Sequence, residues 1–143
     1  MSNLLLLIMA FFPMHGPEAS ATTADAASLT SSCRLQLIGL KCITAEGYLT
    51  PDAIYFKIDH GDYVEEWPKS RMRMSAGDYI DMREVNSIAI DGSVTFNMWD
   101  DDTFDSDDFL GKAVLSCRDA GAGEKIASFS EDGAYYKLYY KLY

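Results

Sequence analysis

The sequence is 143 residues long and carries 12 Lys and Arg against 22 Asp and Glu, a formal net charge of −10. That length fits a single domain, and 48% hydrophobic with 24% charged residues is the composition of a globular chain, not a disordered or collagen-like one. The acidic balance excludes unaided nucleic-acid binding, which needs a basic face to displace counterions.

The chain opens on an apolar run, Leu4–Phe12, ended by Pro13 and Gly16. It is too short to cross a bilayer as a helix, which takes ~20 residues. Ala19-Ser20-Ala21 follows as a small-x-small cleavage site, so residues 1–21 are expected to be a secretory signal peptide. Residues 22–32 are small and polar and are expected to form a flexible leader, with the domain running from Cys33 to Tyr143. The expected location is outside the cytosol, secreted or periplasmic. Of the two histidines, His15 falls in the segment expected to be removed. A zinc site or a nucleophile–histidine relay would therefore rest on His60 alone, and a turn sequence surrounds that residue. Export permits disulfides, and Cys33, Cys42 and Cys117 remain, an odd count with no C-x-x-C pair. Cys33 and Cys42 flank a strand candidate that would hold them ~30 Å apart, beyond bridging distance.

From Arg34 onward the punctuation is all-β. The strand candidates in chain order are Arg34–Ile43, Ile54–Ile58, Tyr63–Trp67, Lys69–Met74, Asn86–Ile90, Val94–Trp99, Lys112–Ser116 and Tyr135–Tyr143. Asp59-His60-Gly61-Asp62 reads as a tight turn, and Asp91-Gly92 as a type I′ hairpin turn. Lys69, Arg71 and Arg73 share one face of their strand; Val94, Phe96 and Met98 share one face of theirs, and so do Tyr136, Leu138, Tyr140 and Leu142. Trp99 is expected at a strand end in the core. Short strands separated by turns predict an antiparallel sandwich.

The chemistry is concentrated in Trp99–Gly111, WDDDTFDSDDFLG, where six aspartates fall within nine residues. Carboxylates crowded between two strands repel one another unless a cation offsets the charge. Oxygen ligands without nearby nitrogen or sulfur select calcium ahead of magnesium. An EF-hand fails on position: counted from Asp100, the required glycine is Asp105 and the required glutamate is Gly111.

The pattern W-D-x-D-x-x-x-x-D-D-F-L-G closely resembles the third calcium-binding loop of C2 domains, with Asp100, Asp102 and Asp108 on the ligand positions. Glu46 and Asp52, six residues apart and followed by Tyr55, match the acids of that family's first loop. Glu46 stands where an aspartate is usual, and Ala53 where a proline is usual. The resemblance spans about Arg34 to Tyr143. It implies an eight-stranded antiparallel C2-like β-sandwich, with the strand order of the permuted, phospholipase-type topology, because one strand precedes the first loop and a spare one closes the chain. It further implies calcium held by Glu46, Asp52, Asp100, Asp102 and Asp108, with Asp107 as an auxiliary ligand, and calcium-dependent attachment to phospholipid. Tyr48, Leu49 and Phe104 are the expected membrane-contact residues. Lys69, Arg71 and Arg73 resemble the family's patch for anionic head groups, although charges on an edge strand also block edge-to-edge pairing. The strand directions put Cys33 and Cys117 together at the pole far from the acidic loops, so a bridge between them leaves Cys42 free. An enzyme is not expected: no G-x-S-x-G or G-x-x-x-x-G-K-[ST] occurs, and a short chain offers no evident deep cleft for paired-carboxylate chemistry. The expected state is monomeric. The rival reading is an exported protein- or glycan-interaction module in which calcium only rigidifies the loops.

Overall fold

The computed structural model describes residues 31–47 and 49–143. The expected signal peptide, all but the end of the leader, and Tyr48 lie outside the described residues. Among the described residues, nine strands form two antiparallel sheets: β1 (Ser32–Thr44), β2 (Asp52–Asp59), β3 (Val64–Met74), β4 (Tyr79–Asp81), β5 (Ile88–Asp91), β6 (Ser93–Asp100), β7 (Asp108–Ser116), β8 (Glu124–Phe129) and β9 (Tyr135–Leu142). One sheet runs β4-β1-β9-β8 with β5 also on β1; the other runs β3-β2-β6-β7. Inside–outside alternation, reset where β1 shifts register against β9 between Leu37 and Gly39, explains the packing. Tyr136, Leu138, Tyr140 and Leu142 of β9 and Leu35, Leu37 and Leu40 of β1 face inward against Ile54, Phe56 and Ile58 of β2 and Phe96 and Met98 of β6. Phe56 joins the layers, its ring 5.4 Å from Phe96 and 5.8 Å from Phe129.

A single strand precedes the first loop, and β9 pairs with β1 from Leu35↔Leu142 to Thr44↔Tyr135. The strand inventory differs from expectation in three places. Tyr63–Trp67 and Lys69–Met74 are one strand, β3, which passes through a cis Trp67–Pro68 bond and shifts register against β2 there. β3 is an edge strand and Pro68 falls within that register shift, the setting in which a sheet tolerates proline. The strands β4 and β8 were not anticipated. β4 is three residues long, and β8 turns Ile126 outward while Ala127 and Phe129 face in.

Asp91-Gly92 is not a hairpin turn. β5 lies in one sheet and β6 in the other, so these two residues carry the chain across the sandwich edge. Gly92, at φ 72°, donates to Ser31 and accepts from Cys117 at that corner. Asp59–Asp62 does close the β2–β3 hairpin, with His60 N–H donating to Tyr63 at 3.0 Å. His60 is not solvated, however: its side chain is 8% exposed, stacked at 4.4 Å on Tyr63 and 3.9 Å from Glu65.

The far pole holds the Cys33–Cys117 disulfide, with Cα atoms 5.6 Å apart, and Cys42 is free and buried. That is the pairing expected from the strand directions.

Candidate metal centre

Four connections meet at the other pole. Residues 45–51 leave β1 for β2, 75–78 leave β3, 101–107 join β6 to β7, and 130–134 join β8 to β9. The ladders bring them together: Asp52 pairs with Met74, Ile54 with Asp100, Asp100 with Asp108, and Thr44 with Tyr135. Two segments some fifty residues apart are thereby placed against one another. Glu46, Asp102 and Asp108 each present a carboxylate oxygen, and the three oxygens lie within 4.8 Å of one another.

The two remaining expected ligands lie deeper. Asp100 is 7% exposed and accepts from the Ala53 N–H at 2.5 Å. Asp52 is 2% exposed and accepts from Glu46 N–H at 3.0 Å and from the Tyr136 hydroxyl at 2.6 Å. Burial raises the Glu46 carboxyl to about 7, helped by Asp108, Asp132 and Asp100. Burial likewise lifts Asp100 to about 6 against the lowering effect of the Ala53 N–H, with Asp52, Asp102 and Asp108 adding to the rise. Asp102 is raised by burial, by its hydrogen bond to Asp108 and by the charges around it. A cluster whose members resist ionising together, built only of oxygen donors, fits a hard divalent cation of the calcium type.

A pH dependence follows, with its sign set by those shifts. Carboxyls raised in the fold stabilise it while protonated, and that contribution is lost as the pH rises through the folded values. The ion-free protein is therefore expected to melt at a lower temperature at pH 7.5 than at pH 5.5, because Glu46 and Asp100 ionise across about pH 6 to 7. Scanning calorimetry in chelator measures this, and a melting temperature that climbs through the window contradicts it.

Sequence reasoning did not single out Asp132. It sits in the β8–β9 loop at φ 50° and adds to the field at Glu46. Its only local signal was a Glu-Asp-Gly turn. Asp107 and Asp101 are engaged from below: the Tyr55 hydroxyl donates to Asp107, and Arg71 donates to Asp101 and, at 2.8 Å, to Glu66. Arg71 also lies 3.9 Å over the Tyr55 ring. Of the basic stripe, Arg71 is thus bound within the fold, while Lys69 and Arg73 are exposed. Arg73 lines a cleft of about 310 Å³ together with Thr50, Phe104 and Asp100–Asp102. At the loop tips Leu49 is 97% and Phe104 100% exposed. Trp99 faces outward from β6, not into the core, its ring tilted at 59° and 5.1 Å from Phe109, with the Lys57 ammonium 4.4 Å over it.

An antiparallel sandwich with an acidic pole built from the β1–β2 and β6–β7 loops is the class of structure defined here. The particular fold is that of the C2 domain. A solved structure described as a C2 domain superposes with a TM-score of 0.50 at 17% identity, over 78% of this chain and 96% of that one. The calcium-bound pair of C2 domains from Extended-Synaptotagmin 2 gives 0.54 at 16% identity, over 79% of this chain and 45% of that one. Human GIVD cytosolic phospholipase A2 gives 0.51 at 11% identity, over 78% of this chain and 16% of that one. The chain thus spans nearly all of the first and less than half of the other two. No family model and no curated protein matches the sequence.

Proposed function

We propose that this protein is an exported calcium-binding module that attaches to phospholipid surfaces when calcium is present. The observation that carries the reading is the Glu46, Asp102 and Asp108 cluster, lying at the same pole as the exposed Leu49 and Phe104. A bound calcium ion would offset the carboxylate charge and offer open positions to phosphate oxygens. Glu46, Asp102 and Asp108 would hold it, with Asp52 and Asp100 at the base of the loops. Leu49 and Phe104 are the apolar tips that would enter the interface, and Tyr48, next to Leu49 in sequence, is proposed to join them. Lys69 and Arg73 stand exposed for anionic head groups, while Arg71 serves the loop. The C2 fold, and a calcium-bound structure among its likenesses, support this assignment. Export of the domain after a signal peptide of residues 1–21 is part of the proposal, and the Cys33–Cys117 bridge supports an oxidising compartment. The role is one of attachment, not catalysis, by a monomer.

Co-sedimentation with phosphatidylserine-containing vesicles, with and without calcium, tests the reading. Binding is expected only with calcium. Phe104→Ala is expected to weaken vesicle binding roughly tenfold, the worth of one apolar side chain on transfer, and to leave calcium affinity unchanged because the ring is not a ligand. Calcium binding without vesicle binding would favour a protein or glycan partner instead.

A further inference from the structure

Beneath the acidic pole two buried tyrosines, from different sheets, each donate to a loop carboxylate. Tyr136 of β9 is 0% exposed and donates to Asp52 at 2.6 Å, across 84 positions of sequence. Asp52 in turn accepts the Glu46 N–H, and its other oxygen faces the Gly47 N–H at 3.5 Å, so its carboxylate fixes the backbone of the loop that carries Glu46. Tyr55 of β2 is 1% exposed and donates to Asp107, the neighbour of Asp108 in the second loop. Burial, then the carboxylate each one meets, raises both phenols, so both remain proton donors.

The acids of the pole thus divide. Glu46, Asp102 and Asp108 face one another, whereas Asp52 and Asp107 face the frame. We infer that Tyr136 and Tyr55 are positioning residues for the calcium loops, acting through Asp52 and Asp107 to hold Glu46 and Asp108 within ligating distance of each other. The inference rests on the calcium reading above. Its physical basis is preorganisation. Like charges would spread two unsupported loops apart, and a hydrogen bond from a rigid, buried ring prevents that in advance of the ion. Partners one layer behind a metal ligand are commonly worth ~10–100-fold in affinity.

Tyr140 supplies the control. It is a buried tyrosine on the same strand as Tyr136, 4% exposed, with no carboxylate hydrogen bond among the described residues. Calcium affinity is to be measured by calorimetry on the folded wild type, Tyr136→Phe, Tyr55→Phe and Tyr140→Phe. The first two variants are expected to lose about tenfold or more and Tyr140→Phe to lose none. In calcium-free protein, amide exchange at Glu46 and Gly47 should accelerate in Tyr136→Phe and not in Tyr140→Phe. If Tyr136→Phe does not fold, Tyr55→Phe decides the affinity question alone. A wild type that binds calcium while both variants match it overturns the positioning role and leaves the calcium reading intact. A wild type that binds no calcium overturns the calcium reading, and the exchange measurement then decides whether Tyr136 organises the loop.

Discussion

Removing the Cys33–Cys117 bridge is expected to lower stability by about 4.5 kcal/mol. The two cysteines are 84 positions apart. Closing a loop of that length restricts the unfolded chain by this amount in the chain-entropy account. In a domain of this size the change corresponds to a fall in melting temperature of roughly 15–20 °C. The site concentrates the effect: Cys33 lies at the start of β1 and Cys117 follows β7, so the bridge ties one sheet to the other at the pole opposite the acidic loops. Cys33→Ser with Cys117→Ser, melted beside the wild type, measures the loss. Thiol titration separates the cysteines. Unreduced protein should react at no position when native and at Cys42 alone when denatured, because Cys42 is wholly buried. Two or more thiols in the denatured, unreduced chain would remove the bridge from the account.

The acidic pole was legible because its signals are local. The aspartate spacing in Trp99–Gly111 and the Glu46–Asp52 separation are short-range patterns, and alternation in β6 and β9 marked which residues face the core. What escaped was settled by distant partners. Asp52 reads in sequence as a ligand, but nothing local announces that Tyr136, 84 positions away, donates to it. Arg71 reads as one member of a basic stripe until Asp101 and Glu66 arrive beside it. Asp91-Gly92 has the local chemistry of a hairpin, and only the pairing of β5 with β1 turns it into a crossing between sheets. Trp99 follows Met98 on β6, and since Met98 faces the core, alternation sends the indole outward. For Asp52, Arg71 and Asp91-Gly92 local propensity permits two outcomes and tertiary pairing selects one, whereas the direction of Trp99 follows from local alternation alone.

Calcium is expected to raise the melting temperature of the wild type by roughly 10 °C, and Asp102→Asn to abolish most of that rise. The acids come together only in the folded sandwich, so the ion binds the native state and not the unfolded chain. With free calcium at one hundred times Kd, this linkage is worth about 2.7 kcal/mol. That is roughly 10 °C for a domain of this size. Asp102 is the decisive position because it lies in the inner cluster and hydrogen-bonds to Asp108, while burial and its neighbours raise its carboxyl. Neutralising it removes a ligand from the loaded protein and a repelling charge from the ion-free one. The variant should therefore be less stable than the wild type with calcium, and at least as stable in chelator. An aspartate that serves only to hold the fold would lower both melting temperatures when replaced. The same contrast reaches the pH dependence. In chelator the wild type should lose stability as Glu46 and Asp100 ionise, whereas in calcium the ionised carboxylates are the ones that bind, so the slope across about pH 6 to 7 should flatten or reverse. A melting curve unmoved by calcium at both ends of that range would leave the acidic pole as solvated charge held together by the frame beneath it.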